Sequence, residues 1–188
     1  MRYAIVDIGS NTVRMNVYDV GKNKITQLFS KKTVAGLSSY LQDGHLTQKG
    51  INKASKILSS YRYIAELLGA EKFLPFATAS LRNIGNADEA VNAINKNAKV
   101  TIDLIQGRDE ALYGFRGLTL GTKVNSGVMF DIGGGSTEVI HIQDGTVQRA
   151  ESIPLGSLNT FTTMMKDLTP STEEADAIKA AFNQYLAD

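Results

Sequence analysis

The sequence predicts an α/β fold in which one lobe is laid out twice and the second copy is left incomplete. Three observations carry this reading. Asp131-Ile132-Gly133-Gly134-Gly135-Ser136-Thr137-Glu138 lies between the apolar runs Val128-Met129-Phe130 and Val139-Ile140, which reads as strand, tight turn, strand, with a carboxylate closing the first strand. Ile5-Val6-Asp7-Ile8-Gly9-Ser10-Asn11-Thr12-Val13-Arg14-Met15-Asn16-Val17 has the same layout when Asp7 is laid on Asp131. Between the two turns, short apolar runs alternate with helical periodicities. A repeat at domain-sized separation points to a duplicated domain, so residues 1–124 are expected to form a first lobe and 125–188 the start of a second.

The elements follow in order. Residues 2–8 and 12–20 read as a hairpin turning at Gly9-Ser10-Asn11, and 24–34 as a third strand after Gly21-Lys22-Asn23. A polar loop runs from Gly36 to His45. Thr47 caps a long helix in which Ile51, Ala54, Leu58, Tyr61, Ala65 and Leu68 recur at steps of three and four, closed by Gly69. Phe73–Ala77 reads as a strand, although Pro75 removes a ladder donor and argues against a fully paired central position. Ala77-Thr78-Ala79-Ser80-Leu81-Arg82 turns that strand into a short helix. Asn86 with Glu89 resembles a capping pair for a helix to about Asn97. Val100–Ile105 is β-branched and apolar, and Gln106-Gly107-Arg108-Asp109-Glu110 opens a helix with Leu112, Phe115 and Leu118 on one side. The order βββαβαβα is that of the ribonuclease H-like lobe of the actin and sugar-kinase superfamily, whose ligands lie at strand carboxyl ends. After a polar joint at Thr122–Ser126 the second lobe begins again with strands at 127–131, 136–143 and 146–153. Pro154-Leu155-Gly156-Ser157 leads into helical sequence, and Ser171 or Thr172 caps a last helix. The residues from 125 onward suffice for three strands and two helices, short of a whole lobe. An unfinished sheet leaves strand edge exposed, so poor packing or a homodimer is expected of this part.

Composition narrows the function classes. Hydrophobic residues make up 43% and charged residues 21% of the 188, as in soluble globular proteins. Lys plus Arg is 20 against 19 for Asp plus Glu, so nothing global draws the chain to nucleic acid or an anionic membrane. Without cysteine there is no disulfide framework, zinc-thiolate site or cysteine nucleophile. The opening apolar run is cut by Asp7, too early for a signal segment, and the cytoplasm is the expected location.

Chemistry therefore rests on the two turns. A glycine-rich turn offers successive backbone N–H groups to a phosphate, and an aspartate beside it can hold a bridging divalent cation. The plainer alternative is a hairpin whose glycines serve only to reach φ > 0. Splitting a phosphoanhydride needs donors, a cation and a base for water. Ser10, Asn11, Gly133, Gly134, Gly135 and Ser136 can supply the donors. Arg82 adds a charged fork, Asp131 with Asp7 can anchor a metal, and Glu110 or Glu138 can act on water. Glu110 is equally readable as a first-turn acid opposing its helix dipole. His45 and His141 read as loop and strand residues without catalytic duty.

With these residues laid out, the chain resembles the exopolyphosphatase and guanosine pentaphosphatase (Ppx/GppA) family from Asp7 to about Leu158. Asp7–Asn11 with Arg14 resembles its first phosphate motif, Ala77–Arg82 with Asn86 its second, Gly107–Ala111 its catalytic-helix motif, Asp131–Glu138 its third, and Pro154–Gly156 its fourth. The resemblance implies a Mg2+-dependent phosphohydrolase that removes terminal phosphate from polyphosphate or guanosine pentaphosphate (pppGpp) in an interlobe cleft. It makes Glu110 the water-activating glutamate, Glu138 a second essential glutamate, Asp131 the metal-site aspartate and Arg82 the phosphate-gripping arginine. Two positions depart from the pattern. Leu158-Asn159-Thr160 stands where an arginine is usual, and Asp109 where a glutamate is common, so processivity on long chains is in question. Two rivals stand beside this reading: a kinase of the same superfamily using ATP, and a non-catalytic polyphosphate or alarmone-binding module.

Overall fold

In the computed structural model, which describes residues 1–186, Ala4, Val6 and Ile8 of β1 (Arg2–Ile8) and Val13, Met15 and Val17 of β2 (Thr12–Val20) are fully buried, while the residues between them face outward or lie half-buried. That period-two alternation is what a sheet with one face on a core requires. β3 (Ile25–Val34) extends the sheet antiparallel to β2. A 3-10 turn at Leu37–Tyr40 and a small hairpin, β4 (Leu41–Gln42) with β5 (His45–Leu46), fill the loop that follows.

α1 (Gln48–Leu67) starts where the sequence places it: Thr47 Oγ1 accepts from Gly50 N, and Ile51, Ala54, Leu58, Tyr61 and Ala65 are buried against the sheet. Next come β6 (Lys72–Ala77), α2 (Ala79–Arg82), α3 (Ala87–Ala98) and β7 (Asp103–Leu104). The sheet order is β3-β2-β1-β6-β7, with β6 parallel to both β1 and β7. Pro75 is tolerated inside this sheet because β7 pairs only Phe76 and Ala77 of β6, so Pro75 has a strand on one side alone.

Two local expectations change. Asn86 precedes α3 but makes no cap bond; its Oδ1 accepts from Leu46 N at 2.8 Å and its Nδ2 donates to Leu46 O at 3.0 Å, pinning the β4–β5 hairpin instead. The strand expected over 100–105 shrinks to β7, because Val100 N and Ile102 N are claimed by the backbone and side chain of Asn95 at the end of α3.

By contacts the chain divides into a unit Met1–Ile105 and a second that starts at Gln106. This division falls earlier than the expected boundary at 124, because α4 (Gly107–Thr119) packs on the following strands. These are β8 (Gly127–Ile132), β9 (Thr137–Gln143) and β10 (Thr146–Ile153), an antiparallel sheet in the order β10-β9-β8. Ala111, Leu112 and Phe115 meet Ile140, Ile142 and Ala150, while Leu118 is exposed. α5 (Ser157–Met164) and α6 (Thr172–Leu186) follow. Ser171 caps α6 reciprocally: its Oγ accepts from Glu174 N at 3.2 Å and its N donates to Glu174 Oε2 at 2.9 Å. The final two residues of the expected second lobe lie outside the described residues. β8 is one of the two edges of its sheet, with Val128, Phe130 and Ile132 exposed. Among the described residues no helix is long and apolar enough to cross a membrane.

The repeat read from the sequence extends to the hydrogen-bond ladder. Asp7 faces Arg14 and Ile8 faces Val13 in the first hairpin; Asp131 faces Glu138 and Ile132 faces Thr137 in the second. The register shift in each third strand also falls at the matching place, opposite Val17/Tyr18 in one sheet and His141/Ile142 in the other.

Candidate active site

Both turns are closed by the same bond, Gly9 N to Thr12 O at 3.0 Å and Gly133 N to Ser136 O at 2.9 Å. Positive-φ glycines among the described residues are Gly36, Gly44, Gly69, Gly127 and Gly145, none of them in these turns. Positive φ is therefore not what these glycines supply. Space is tight at two of them: a Cβ on Gly9 would stand 3.1 Å from Thr12 O, and one on Gly133 3.2 Å from Ser136 O.

Each turn has its carbonyls held from behind by the segment that follows its sheet. In the first, Asn11 O accepts from Ala35 N and Gly36 N, both at 2.8 Å, and Ser10 O from Ser38 N at 3.1 Å. In the second, Gly133 O accepts from Ser157 N and Gly134 O from Leu158 N and Asn159 N, all at the start of α5, and Gly135 O accepts from Asn159 Nδ2. A trans peptide carries its C=O and N–H on opposite edges, and no described peptide bond is cis. Fixing the carbonyls thus aims the N–H groups of Asn11 and Thr12, and of Gly134, Gly135 and Ser136, away from the bracing segments. Gly156 packs so tightly on the second turn that a Cβ there would lie 2.6 Å from Gly134 C, Gly135 N and Ser136 N.

In the first unit, α2 is tied to the first turn by Ser80, whose buried hydroxyl donates to Ile8 O. Arg82, at the end of α2, donates from Nη1 to Ile105 O at 2.8 Å, and Ile105 N donates to Ala77 O. The first unit thus gathers Asp7, Ser10, Asn11 and Arg14 on one hairpin and anchors the helix of Arg82 to that hairpin's strand.

The second unit gathers the carboxylates. Glu138 is buried, 3% exposed, and its Oε1 accepts from Ser152 Oγ at 2.6 Å. Asp131 stands opposite it across the ladder. Gly114, four residues and so one turn beyond Glu110 on α4, lies with its Cβ position 3.8 Å from Asp131 Oδ2. Burial pushes the Glu138 carboxyl above its ordinary 4.5; hydrogen bonds from Ser152 and Ser136 oppose the rise, while the charges of Glu110 and Asp131 add to it. A carboxyl raised on folding contributes stability that is complete below pH 4.5 and lost as pH climbs through the raised value. In metal-free buffer, Glu138→Gln, which keeps an acceptor for Ser152, is therefore expected to gain on the parent above pH 4.5 and not below it. Denaturant unfolding at a series of pH values checks this; a stability difference independent of pH would contradict it.

Like carboxylates facing each other repel, and all-oxygen donors suit a hard divalent cation. Among the described residues no group of three or more His, Cys, Asp and Glu side chains forms a ready-made metal site. Sequence reasoning missed Ser152, although it lies directly across the ladder from Glu138, and treated Asn159 only as a position lacking positive charge. The signal for Asn159 was its place three residues after Gly156, the residue that caps α5, where a side chain can reach back to the cap.

The chain belongs to the Ppx/GppA phosphatase family, whose model matches residues 16–188. It is 26% identical over its whole length to Exopolyphosphatase 1 of Mycobacterium leprae and likewise to that of Mycobacterium tuberculosis, of which it spans 57% and 56%. The chain thus covers little more than half the length of these curated relatives. In structure it is similar to the Ppx/GppA protein of Aquifex aeolicus (TM-score 0.78, 24% identity, covering 99% of this chain and 61% of that one). It is also similar to an exopolyphosphatase from Cytophaga hutchinsonii (TM-score 0.87, 21% identity, covering 98% and 60%). The α/β fold is that of these solved structures.

Proposed function

We propose that the protein is a phosphohydrolase that removes the terminal phosphate of polyphosphate or of guanosine pentaphosphate. The observation that carries this reading is the buried Glu138, which feels the charges of Glu110 and Asp131 and lies next to a turn whose N–H groups are aimed by α5. The first hairpin has Arg14 where the second has Glu138. One turn is therefore dressed to hold an anion, and the other pairs its donors with bases that can act on water.

In this reading the N–H groups of Asn11, Gly134, Gly135 and Ser136, with Arg14 and Arg82, bind phosphate oxygens. Asp131, and Asp7 at the equivalent position, would hold a divalent cation, Mg2+ or a similar ion, which when bound neutralises charge developing on the phosphoanhydride oxygens. Glu110 takes the proton of the attacking water. It is preferred to Glu138 because it is only half-buried, whereas Glu138 is shut in. The curated relatives named exopolyphosphatase support polyphosphate as the substrate; pppGpp presents the same terminal phosphoanhydride.

Phosphate release from tripolyphosphate and from pppGpp by the full-length protein with Mg2+ tests the reading. Phosphorylated product from ATP and a sugar or acetate, without free phosphate, would establish the kinase; tight binding of tripolyphosphate without turnover would establish the binding module. Gly134→Val, which puts a branched side chain in the middle of the packed turn, is expected to lose tripolyphosphate affinity and turnover together. Calorimetric binding equal to the parent's would remove the turn from the site.

A further inference from the structure

The last carbonyl of the two turns is held by different means. In the first turn Asn11 O takes two backbone donors, Ala35 N and Gly36 N. At the matching position of the second, Gly135 O accepts from a side chain, Nδ2 of Asn159, at 3.1 Å. The same Nδ2 donates to Pro154 O at 3.1 Å, Asn159 Oδ1 accepts from Gly156 N at 2.7 Å, and Asn159 N donates to Gly134 O at 3.1 Å. One residue thus joins two carbonyls of the turn, the end of β10 and the glycine packed on the turn. Because the peptide whose oxygen is Gly135 O carries the Ser136 N–H on its opposite edge, the Asn159 side chain sets the direction of the turn's last donor.

We infer that Asn159 is a positioning residue for phosphate binding, acting through the backbone of Gly134–Ser136. An arginine at this place would meet a polyanion with charge; Asn159 reaches the anion indirectly, by holding the N–H groups that meet it. The inference rests on the phosphate-binding reading of the turn and adds to it a residue outside the turn.

The test is calorimetric titration of the full-length protein with tripolyphosphate, without divalent metal, so that turnover does not intrude. Asn159→Asp keeps Oδ1 for Gly156 N but sets a second oxygen against Gly135 O and Pro154 O, and a carboxylate in the first turn of α5 suits the helix N-terminus, so this variant is expected to fold. Asn159→Ala removes the side-chain bonds without adding repulsion. Ile142→Val, in the core of the same unit, is the control for lost stability. Both Asn159 variants are expected to bind about tenfold or more weakly, the size of effect for donors to a charged group set out of line, while Ile142→Val binds like the parent despite a lower melting temperature. With Mg2+ present, KM should rise in the Asn159 variants while kcat stays within about threefold of the parent. A parent that does not bind tripolyphosphate overturns both the phosphate-binding reading and this inference. Asn159 variants that bind like the parent overturn the inference alone. So do an equal loss in Ile142→Val and a failure of both Asn159 variants to fold, each of which returns Asn159 to a structural role.

Discussion

Glu110→Gln in the full-length protein is expected to retain tripolyphosphate binding and lose hydrolysis by about a hundredfold to ten-thousandfold, which corresponds to roughly 3 to 5 kcal/mol of barrier. Glutamine keeps the size of the side chain and can still hydrogen-bond a water, yet it cannot take the proton that the water must shed. A purely local role predicts something else. Glu110 and Asp109 both lie in the first turn of α4, where an acid opposing the helix dipole contributes about 0.3 to 1 kcal/mol of stability and nothing to the rate. Phosphate release at saturating substrate and Mg2+, with affinity measured separately, decides between the two. A turnover within about threefold of the parent, under roughly 1 kcal/mol of barrier, would return Glu110 to a structural role and leave Glu138 as the base.

Gly156→Ala is expected to disable the second turn from behind. The added Cβ would stand 2.6 Å from three backbone atoms of Gly134, Gly135 and Ser136, well inside contact distance, and backbone cannot rotate out of the way as a side chain can. Relief requires the turn or the start of α5 to move, and overpacking of this kind costs about 1 to 3 kcal/mol. Either movement breaks the bonds from Ser157 N and Leu158 N that aim the turn's donors. Tripolyphosphate affinity should fall by about tenfold or more, which is about 1.4 kcal/mol or more of binding free energy. A variant that melts lower but binds like the parent would show that the Gly156 contact supports the fold and not the site.

The features legible in the sequence were those with a local period or a local spacing. Apolar runs on either side of Gly9-Ser10-Asn11 marked the first hairpin, the three-four spacing from Ile51 to Ala65 marked α1, and the repetition of Asp-Ile-Gly at Asp7 and Asp131 marked the duplication. The ladder repeats that duplication down to its bulges. What the sequence concealed depended on partners distant along the chain. Asn86 reads as a cap because Glu89 follows it, but Leu46, forty residues earlier, offers both a donor and an acceptor. α4 follows the first lobe's strands without a break, yet its apolar side matches Ile140, Ile142 and Ala150. The turn glycines suggested positive φ, whereas close approach by backbone crowds a side chain at Gly9 and Gly133 and excludes one at Gly156. Asn159 was visible only as the lack of an arginine, since its bonds run to carbonyls that only the folded turn brings near it.

In the proposed reaction water attacks the terminal phosphorus. Hydrolysis of tripolyphosphate by the full-length protein in water enriched in oxygen-18 tests it most directly. One labelled oxygen is expected in each released orthophosphate and none in the pyrophosphate left behind. Label in the pyrophosphate, or a phosphoryl group passed to an acceptor with no labelled orthophosphate formed, would contradict it.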